Sequence, residues 1–136
     1  MAEYSPHEAY RVLKKGGFFF EYNLGPEANK EIMEFFPERI ERENFFFPHN
    51  AKGWKREVCE KLVDAGFSVE SIEDYKEKER YKNVEELMGL IEMVPLVKDF
   101  DRIKDREAVE TLAKRYWSKK GIQITWHYYI LTARRF

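Results

Sequence analysis

The sequence of 136 residues predicts an α/β fold in a single domain, residues 1–136, because segments with helical periodicity alternate with segments typical of strands. The strongest helix signal is the apolar stripe formed by Trp54, Val58 and Leu62. The strongest strand signal is Phe18–Asn23, where three consecutive Phe residues are typical of a strand covered on both faces, as in parallel sheets. Hydrophobic residues make up 43% of the chain, too much for a disordered tail.

The first predicted elements lie before residue 37. Pro6–Lys15 is predicted to be a helix, which the Gly16–Gly17 pair ends. After the strand Phe18–Asn23, Pro26–Phe36 is predicted to be a second helix, because proline is common in a first helical turn. Residues 38–53 have no regular pattern, and Phe45–Phe47 within them is either a short strand or an aromatic plug.

The second half of the chain carries clearer boundaries. The helix from Trp54 is predicted to end with Gly66 as its cap, and a strand is predicted from Phe67 to Tyr75 or to Tyr81. Asn83 with Glu86 matches a capping box that opens a helix running toward Pro95. A further helix is predicted from Asp105 to before Gly121, and Ile122–Arg134 is predicted to be a long terminal strand.

Charge and cysteine content narrow the function classes. The 24 Lys and Arg residues nearly balance the 25 Asp and Glu residues, which gives no electrostatic reason to expect nucleic-acid or membrane binding. One cysteine, Cys59, excludes an internal disulfide, and the apolar runs are too short to span a bilayer, so a cytoplasmic location is expected. The three histidines have no spacing typical of a metal site, so no bound metal is expected.

Several phrases together resemble the C-terminal half of class I S-adenosylmethionine (SAM)-dependent methyltransferases. Glu8-Ala-Tyr-Arg-Val-Leu-Lys-Lys-Gly-Gly is similar to the helix and turn before the fifth strand of that family. Leu62-Val63-Asp64-Ala65-Gly66-Phe67 is similar to the entry into the sixth strand, and Gly121 to Arg134 is similar to the seventh. The resemblance implies part of a Rossmann-like fold: a small mixed three-stranded sheet, order 5-7-6, with flanking helices and a helical insertion at about 82–118.

The resemblance also implies what this sequence lacks. The family holds SAM with a Gly-rich turn after its first strand and an acidic residue at the end of its second, and neither is present here. No three of the seven glycines lie close enough for a Gly-x-Gly-x-x-Gly loop. The expectation is a truncated methyltransferase-like chain that has no catalytic residues and binds no cofactor alone, and that would use SAM only with a complementary N-terminal half.

Six residues are candidates for substrate binding. Glu21, Tyr22 and Asn23 end the strand that points toward the cofactor crevice in the resembled fold, although capping of the strand end is an equally good interpretation. His127 is either a hydrogen-bonded core histidine or a base facing substrate, with the first interpretation favoured. The remaining two candidates are His49, in an irregular segment, and Tyr81, as part of a substrate lid. For His49 an ordinary surface turn is the favoured interpretation, and for Tyr81 a position in the core.

The strand Phe18–Asn23 is also the predicted interface. In the resembled fold it pairs on its other side with a fourth strand, which has no counterpart here, so a bare edge with three Phe residues is expected to bind another chain. That chain is either a second copy or a complementary methyltransferase half. The predicted function is a substrate-side and interaction role in a methyltransferase-like protein; the alternative is a noncatalytic dimer that binds a small ligand or serves in assembly.

Overall fold

The structure is a computed structural model that describes residues 4–40, 52–94 and 96–136. His49 and the run Phe45–Phe47 lie outside the described residues. The chain divides into two compact units. The described part of the first unit comprises residues 4–28, 52–75 and 127–136, and that of the second comprises 29–40, 76–94 and 96–126.

The described residues form five α-helices, a short 3-10 helix and four strands. In chain order these are α1 (Pro6–Val12), β1 (Phe18–Leu24), α2 (Lys30–Phe35), the 3-10 helix (Pro37–Arg39), α3 (Trp54–Asp64), β2 (Ser68–Tyr81), α4 (Val84–Met93), α5 (Arg106–Arg115), β3 (Trp117–Ser118) and β4 (Gly121–Arg134). No described helix is long and apolar enough to cross a membrane.

The sheet has the order β1-β4-β2, and β3 pairs separately with β4. The pairs β1–β4 and β3–β4 are antiparallel, with Phe18 opposite Arg134 and Leu24 opposite Tyr128 at the two ends of the first pair. The sheet therefore has four strands and antiparallel pairing, where the sequence predicts three strands in a mixed sheet. The addition is β3, which lies within residues predicted to be helical.

The first unit has a core between α1, α3 and one face of its strands. Leu62, Phe67, Tyr129 and Leu131 are buried there, together with Trp54, Val58, Ala65 and Ala133. Helix α3 ends as predicted, because Gly66 adopts a positive φ and Phe67 N–H donates to the Leu62 carbonyl at 3.0 Å. A Cβ at Gly66 would also lie 2.9 Å from the Tyr10 ring, so glycine is required there by both conformation and packing.

The second unit has its own core, formed mainly by α2, α4 and α5. Its buried residues include Ile32, Leu87, Met88, Ile91, Val109, Leu112, Ile122 and Ile124. The predicted N-cap is confirmed, because Asn83 Oδ1 accepts from Glu86 N–H at 2.9 Å. The Glu86 carboxylate accepts from Lys82 N–H at 2.7 Å, one residue before the cap and not from Asn83 as in a complete capping box. Arg39 joins two segments of this unit through a bidentate pair with Asp105.

Three predicted boundaries are wrong. The first helix ends at Val12 rather than Lys15. Helix α2 begins at Lys30 rather than Pro26, because Asn29 has a left-handed conformation, φ 56°, and interrupts any helix before it. The last helix ends at Arg115 and does not continue to Gly121, because Trp117–Ser118 forms strand β3.

One burial prediction is also wrong. Phe18 and Phe20 are 47% and 66% exposed, so β1 is not covered on both faces. Phe19, which points to the opposite face, packs against the core of the first unit. The alternation follows from strand geometry: α1 and α3 cover one face, and the other face has no covering element among the described residues of this unit.

Candidate functional site

Three alternate residues of β4 each donate a hydrogen bond to a carboxylate. These residues, Thr125, His127 and Tyr129, are called the donor row below, and all three are buried. Their acceptors are Glu31, Asp74 and Glu21. His127 and Tyr129 belong to the first unit and Thr125 to the second.

His127 is fixed at both ring nitrogens. Glu27 N–H donates to Nδ1 at 3.1 Å, so Nδ1 is the acceptor and the proton lies on Nε2. Nε2 lies 2.8 Å from Asp74 Oδ2 and therefore donates to it. The Trp54 and His127 rings pack in a T-shaped arrangement, with 5.5 Å between their centroids. The ring is 1% exposed, and both of its nitrogens have hydrogen-bond partners within the chain.

Asp74 is held in its ionised form by two partners. Lys55 Nζ lies 2.6 Å from Asp74 Oδ1, and this ammonium is the main cause of an Asp74 pKa below its ordinary value, with the His127 hydrogen bond adding to it. Lys55 also lies over the Trp54 ring at 5.6 Å. Asp74 is therefore an anion that orients the His127 ring.

Glu31 is a buried carboxylate of the second unit, only 2% exposed. Its Oε2 accepts from Thr125 N–H at 2.9 Å, and its Oε1 accepts from the Thr125 hydroxyl and from Lys78 Nζ, the latter at 3.0 Å. Lys78 also donates to the Thr125 hydroxyl at 2.9 Å. Burial alone would raise the Glu31 pKa, but the donors from Thr125 and Lys78 outweigh it and lower the pKa. Glu31 is therefore a buried anion with its lone pairs satisfied.

Glu21 is the third acceptor and the only one that the sequence singled out. Its carboxylate accepts from the Tyr129 hydroxyl at 2.6 Å. Burial first, and then the hydrogen bond and charge of Glu21, raise the pKa values of both Tyr129 and Tyr4. Burial and the same carboxylate raise the pKa of the Cys59 thiol, which agrees with an inert thiol and not with a nucleophile.

Of the other predicted site residues, Asn23 lies opposite Tyr129 in the β1–β4 pair, and its side chain also forms a hydrogen bond with that of Tyr129. Asn23 is buried and its Oδ1 accepts from Leu24 N–H at 2.8 Å, a strand-end hydrogen bond of the kind expected for capping. Tyr22 points to the exposed face, with its ring 5.3 Å from that of Tyr128. Tyr81 packs against the core of the second unit. Whether any of the six binds substrate stays a prediction.

Sequence analysis does not identify four residues that take part in these hydrogen bonds: the acceptors Glu31 and Asp74 and the donors Lys78 and Thr125. Glu31 and Thr125 are 94 residues apart, and Asp74 and His127 are 53 apart, so no local spacing connects them. One signal was available: Thr125, His127 and Tyr129 are polar residues at alternate positions of a predicted strand, and a buried polar residue needs a partner. The described residues contain no cluster of metal-ligating side chains.

An exposed apolar surface lies on the opposite side of the strands in the first unit. Phe18, Phe20 and Tyr22 point outward from β1, and Ile130 lies beside Tyr22 on β4. The Phe18 and Phe20 rings stack at 6.1 Å, and Tyr75 stacks on Tyr128 at 5.3 Å. These six residues are called the aromatic face below. Arg134 lies over the Phe18 ring at 4.8 Å at one end of it.

The glycines of this chain do not form a cradle for SAM. A ligand cradle needs glycines whose missing side chains leave room for the ligand. A Cβ at Gly25 would instead meet the His127 ring, one at Gly66 the Tyr10 ring, and one at Gly121 the Tyr81 carbonyl. Gly16, Gly53 and Gly89 face open space, but they are isolated in sequence. The described glycines therefore do not form the Gly-rich loop that the resemblance associates with SAM.

Comparison with known proteins shows similarity to solved structures. No family model matches the sequence, and no curated protein matches it. Among solved structures, the chain is similar to a protein from Bacillus halodurans C-125 that is provisionally assigned as a methyltransferase, with 21% sequence identity and a TM-score of 0.54. The chain has a methyltransferase-like fold. The similarity covers 96% of this chain and 56% of that structure, so the chain spans just over half the length of its structural neighbour.

Proposed function

We propose that this chain forms the C-terminal, substrate-side part of a methyltransferase-like protein, and that its aromatic face is covered by the part of the fold that binds SAM. The proposal holds whether the covering part belongs to the same polypeptide or to another. This chain contributes no catalytic residue of its own. Its tasks are to complete the sheet and to carry the helices α4 and α5 of the insertion.

The exposure of the aromatic face is the observation that carries the proposal. Phe20 and Tyr22 are 66% and 55% exposed on the outward side of β1, while α1 and α3 cover the inward side. Contiguous apolar patches of more than a few hundred Å² are rare on soluble monomers and commonly mark an interface. A sheet in an α/β protein normally carries helices on both faces, and the helices of the first unit supply one layer only.

The second support is the share of the structural neighbour that this chain does not cover. The neighbour has additional residues beyond the 56% that align. In the resembled family SAM is held by a turn whose glycines leave room for the ligand. Here a Cβ at Gly25, Gly66 or Gly121 would meet the chain itself, and the glycines that face open space are isolated in sequence. The proposal therefore assigns SAM binding to the covering part.

Sedimentation equilibrium of the chain alone tests whether the aromatic face associates with a second copy when the covering part is absent. We expect association in the high micromolar range, weakened at least fivefold by Phe20→Glu, because a charge placed on the aromatic face must be desolvated on contact. Ile103→Glu is the matched control, since Ile103 is an 88% exposed apolar residue outside the aromatic face. A wild-type chain that stays strictly monomeric and well folded at these concentrations contradicts the proposed interface.

Calorimetric titration with SAM tests the division of roles. We expect no micromolar binding of SAM to this chain alone. We expect SAM to bind after an equimolar amount of a second polypeptide is added, one that is encoded beside this chain and contains a Gly-rich strand-turn-helix. Tight binding of SAM by the chain alone would overturn the assignment. A stable symmetric dimer that ignores the added polypeptide would favour the alternative, a noncatalytic assembly or ligand-binding module.

A further inference from the structure

We propose that a pocket in the second unit binds a small aromatic carboxylate. The pocket has a volume of about 400 Å³, within the range of small-molecule sites. Its lining comes from the start of α4, from α5, from β3 and from the beginning of β4. The lining residues are 82–84, Glu110, Ala113, Lys114, Trp117 and Ile122. This site does not depend on the chain taking part in methyl transfer.

The apolar part of the pocket suits a flat ring. Ala113 and Ile122 are buried at its base, and Val84 is half-buried beside them. Trp117 is 60% exposed at the start of β3, so part of its indole is accessible to a ligand. Its indole offers a stacking surface and one N–H donor.

The charges around the pocket select an anion. Lys82 and Lys114 line it, and neither ammonium is in an ion pair with any residue that the structure describes. The one carboxylate of the lining, Glu110, is engaged at 3.1 Å by Arg106 on the same helix. The pocket therefore presents two free cations against one neutralised anion. A ring with a carboxylate complements both the apolar base and the cationic rim, whereas a neutral ring complements only the base.

The test uses 2-naphthoate as the probe and 2-naphthalenemethanol as its neutral counterpart. Amide chemical shifts of the full chain are followed by NMR during titration, with far-UV circular dichroism as the check that each variant is folded. For a probe of this size we expect a dissociation constant on the order of 1 mM for naphthoate. The shifts should be confined to residues 82–84, 110–117 and 122, and the alcohol should bind roughly tenfold more weakly.

Two variants separate the cationic and aromatic contributions. The double variant Lys82→Gln with Lys114→Gln should weaken naphthoate roughly tenfold and leave the alcohol unchanged. Trp117→Ala should weaken both probes by a similar factor. Lys61→Gln, an exposed lysine on α3 that does not line the pocket, is the matched control and should change neither.

Equal binding of the acid and the alcohol overturns the proposal, and so does the absence of binding by both. Shifts centred on residues outside the pocket, or a Lys61→Gln effect equal to that of the double variant, overturn it as well. None of these outcomes alters the sedimentation or SAM experiments, which test the proposed function through a different unit of the chain.

Discussion

Replacing Gly25 by alanine is expected to destabilise the chain by about 3 kcal/mol, because the new methyl group has no room. A Cβ at Gly25 would lie 2.4 Å from both Nδ1 and Cε1 of His127, whereas ordinary van der Waals contact begins at 3.4 Å. The imidazole would have to move by about 1 Å. It is held in place on both sides, by Asp74 at 2.8 Å and by Glu27 N–H at 3.1 Å.

The magnitude follows from the contacts that such a shift would break. Moving the ring by that distance lengthens both hydrogen bonds beyond the normal range, at a cost of about 1 kcal/mol for the bond from Glu27 and about 2 kcal/mol for the bond to the charged Asp74. Residual overpacking costs about 1 kcal/mol more. Alanine also reduces the entropy of the unfolded chain, which offsets up to about 1 kcal/mol and leaves a net loss of about 3 kcal/mol.

Urea unfolding followed by far-UV circular dichroism measures the effect. Gly89→Ala is the matched control: Gly89 lies inside α4 with no atom within 4 Å of an added Cβ, so this change should stabilise the chain by about 0.5 to 1 kcal/mol. A second control adds His127→Ala, which should cost at least 1 kcal/mol less in the Gly25→Ala background than in the wild type. A Gly25→Ala free energy of unfolding within 0.5 kcal/mol of wild type, at an unchanged m-value, would refute the packing argument.

Two further predictions concern the acceptors of the donor row. Because the Glu31 pKa is lowered in the folded state, its ionised form stabilises the fold above the ordinary pKa of 4.5, and this contribution is lost as the pH falls through the lowered value. Glu31→Gln should therefore lower the free energy of unfolding by about 2 kcal/mol at pH 7 and by much less near pH 2; parallel pH profiles would contradict this. Tyr129→Phe should cost about 2 kcal/mol, since it leaves Glu21 short of a buried donor, and thermal unfolding that is unchanged from wild type would show that Glu21 finds another partner.

The elements that the sequence predicts well are those with strong local signals. The N-cap at Asn83 and the Gly66 ending of α3 are set by contacts between residues three to five apart, so pattern and structure agree. The long strands β2 and β4 carry enough β-branched and aromatic residues to be recognised. The position of β4 between β1 and β2 came from the family resemblance, because pattern alone does not determine strand order.

The errors have physical causes. The Phe18–Phe20 run has the composition of a strand buried on both faces, but composition does not reveal whether a second layer is present in the same unit. Pro26 is a good helix start, and the left-handed Asn29 overrides it. Strand β3 has only two residues, which is too short to show the alternating pattern that would distinguish it from the helix before it.

The hydrogen bonds of the candidate site are even harder to predict from local sequence patterns. The pairing of Glu31 with Thr125 and of Asp74 with His127 depends on which strands become neighbours, and no spacing along the chain encodes it. Glu21 was identified because it ends a strand, yet its tyrosine partner was not. Buried acids of this kind become predictable only after the register of the sheet is known.

The donor row also has a consequence for the order of folding during synthesis. Glu21, Glu31 and Asp74 all precede β4 in the chain, and their donors lie on β4, the last described strand. At the usual rate of translation, roughly 5 to 20 s pass between the emergence of Glu31 and of Thr125, which are 94 residues apart. During that time the acids lack their native donors, and β1 and β2 lack the strand that separates them. The ribosome must therefore finish β4 before the central part of this sheet can form, so folding here waits for synthesis and cannot proceed element by element.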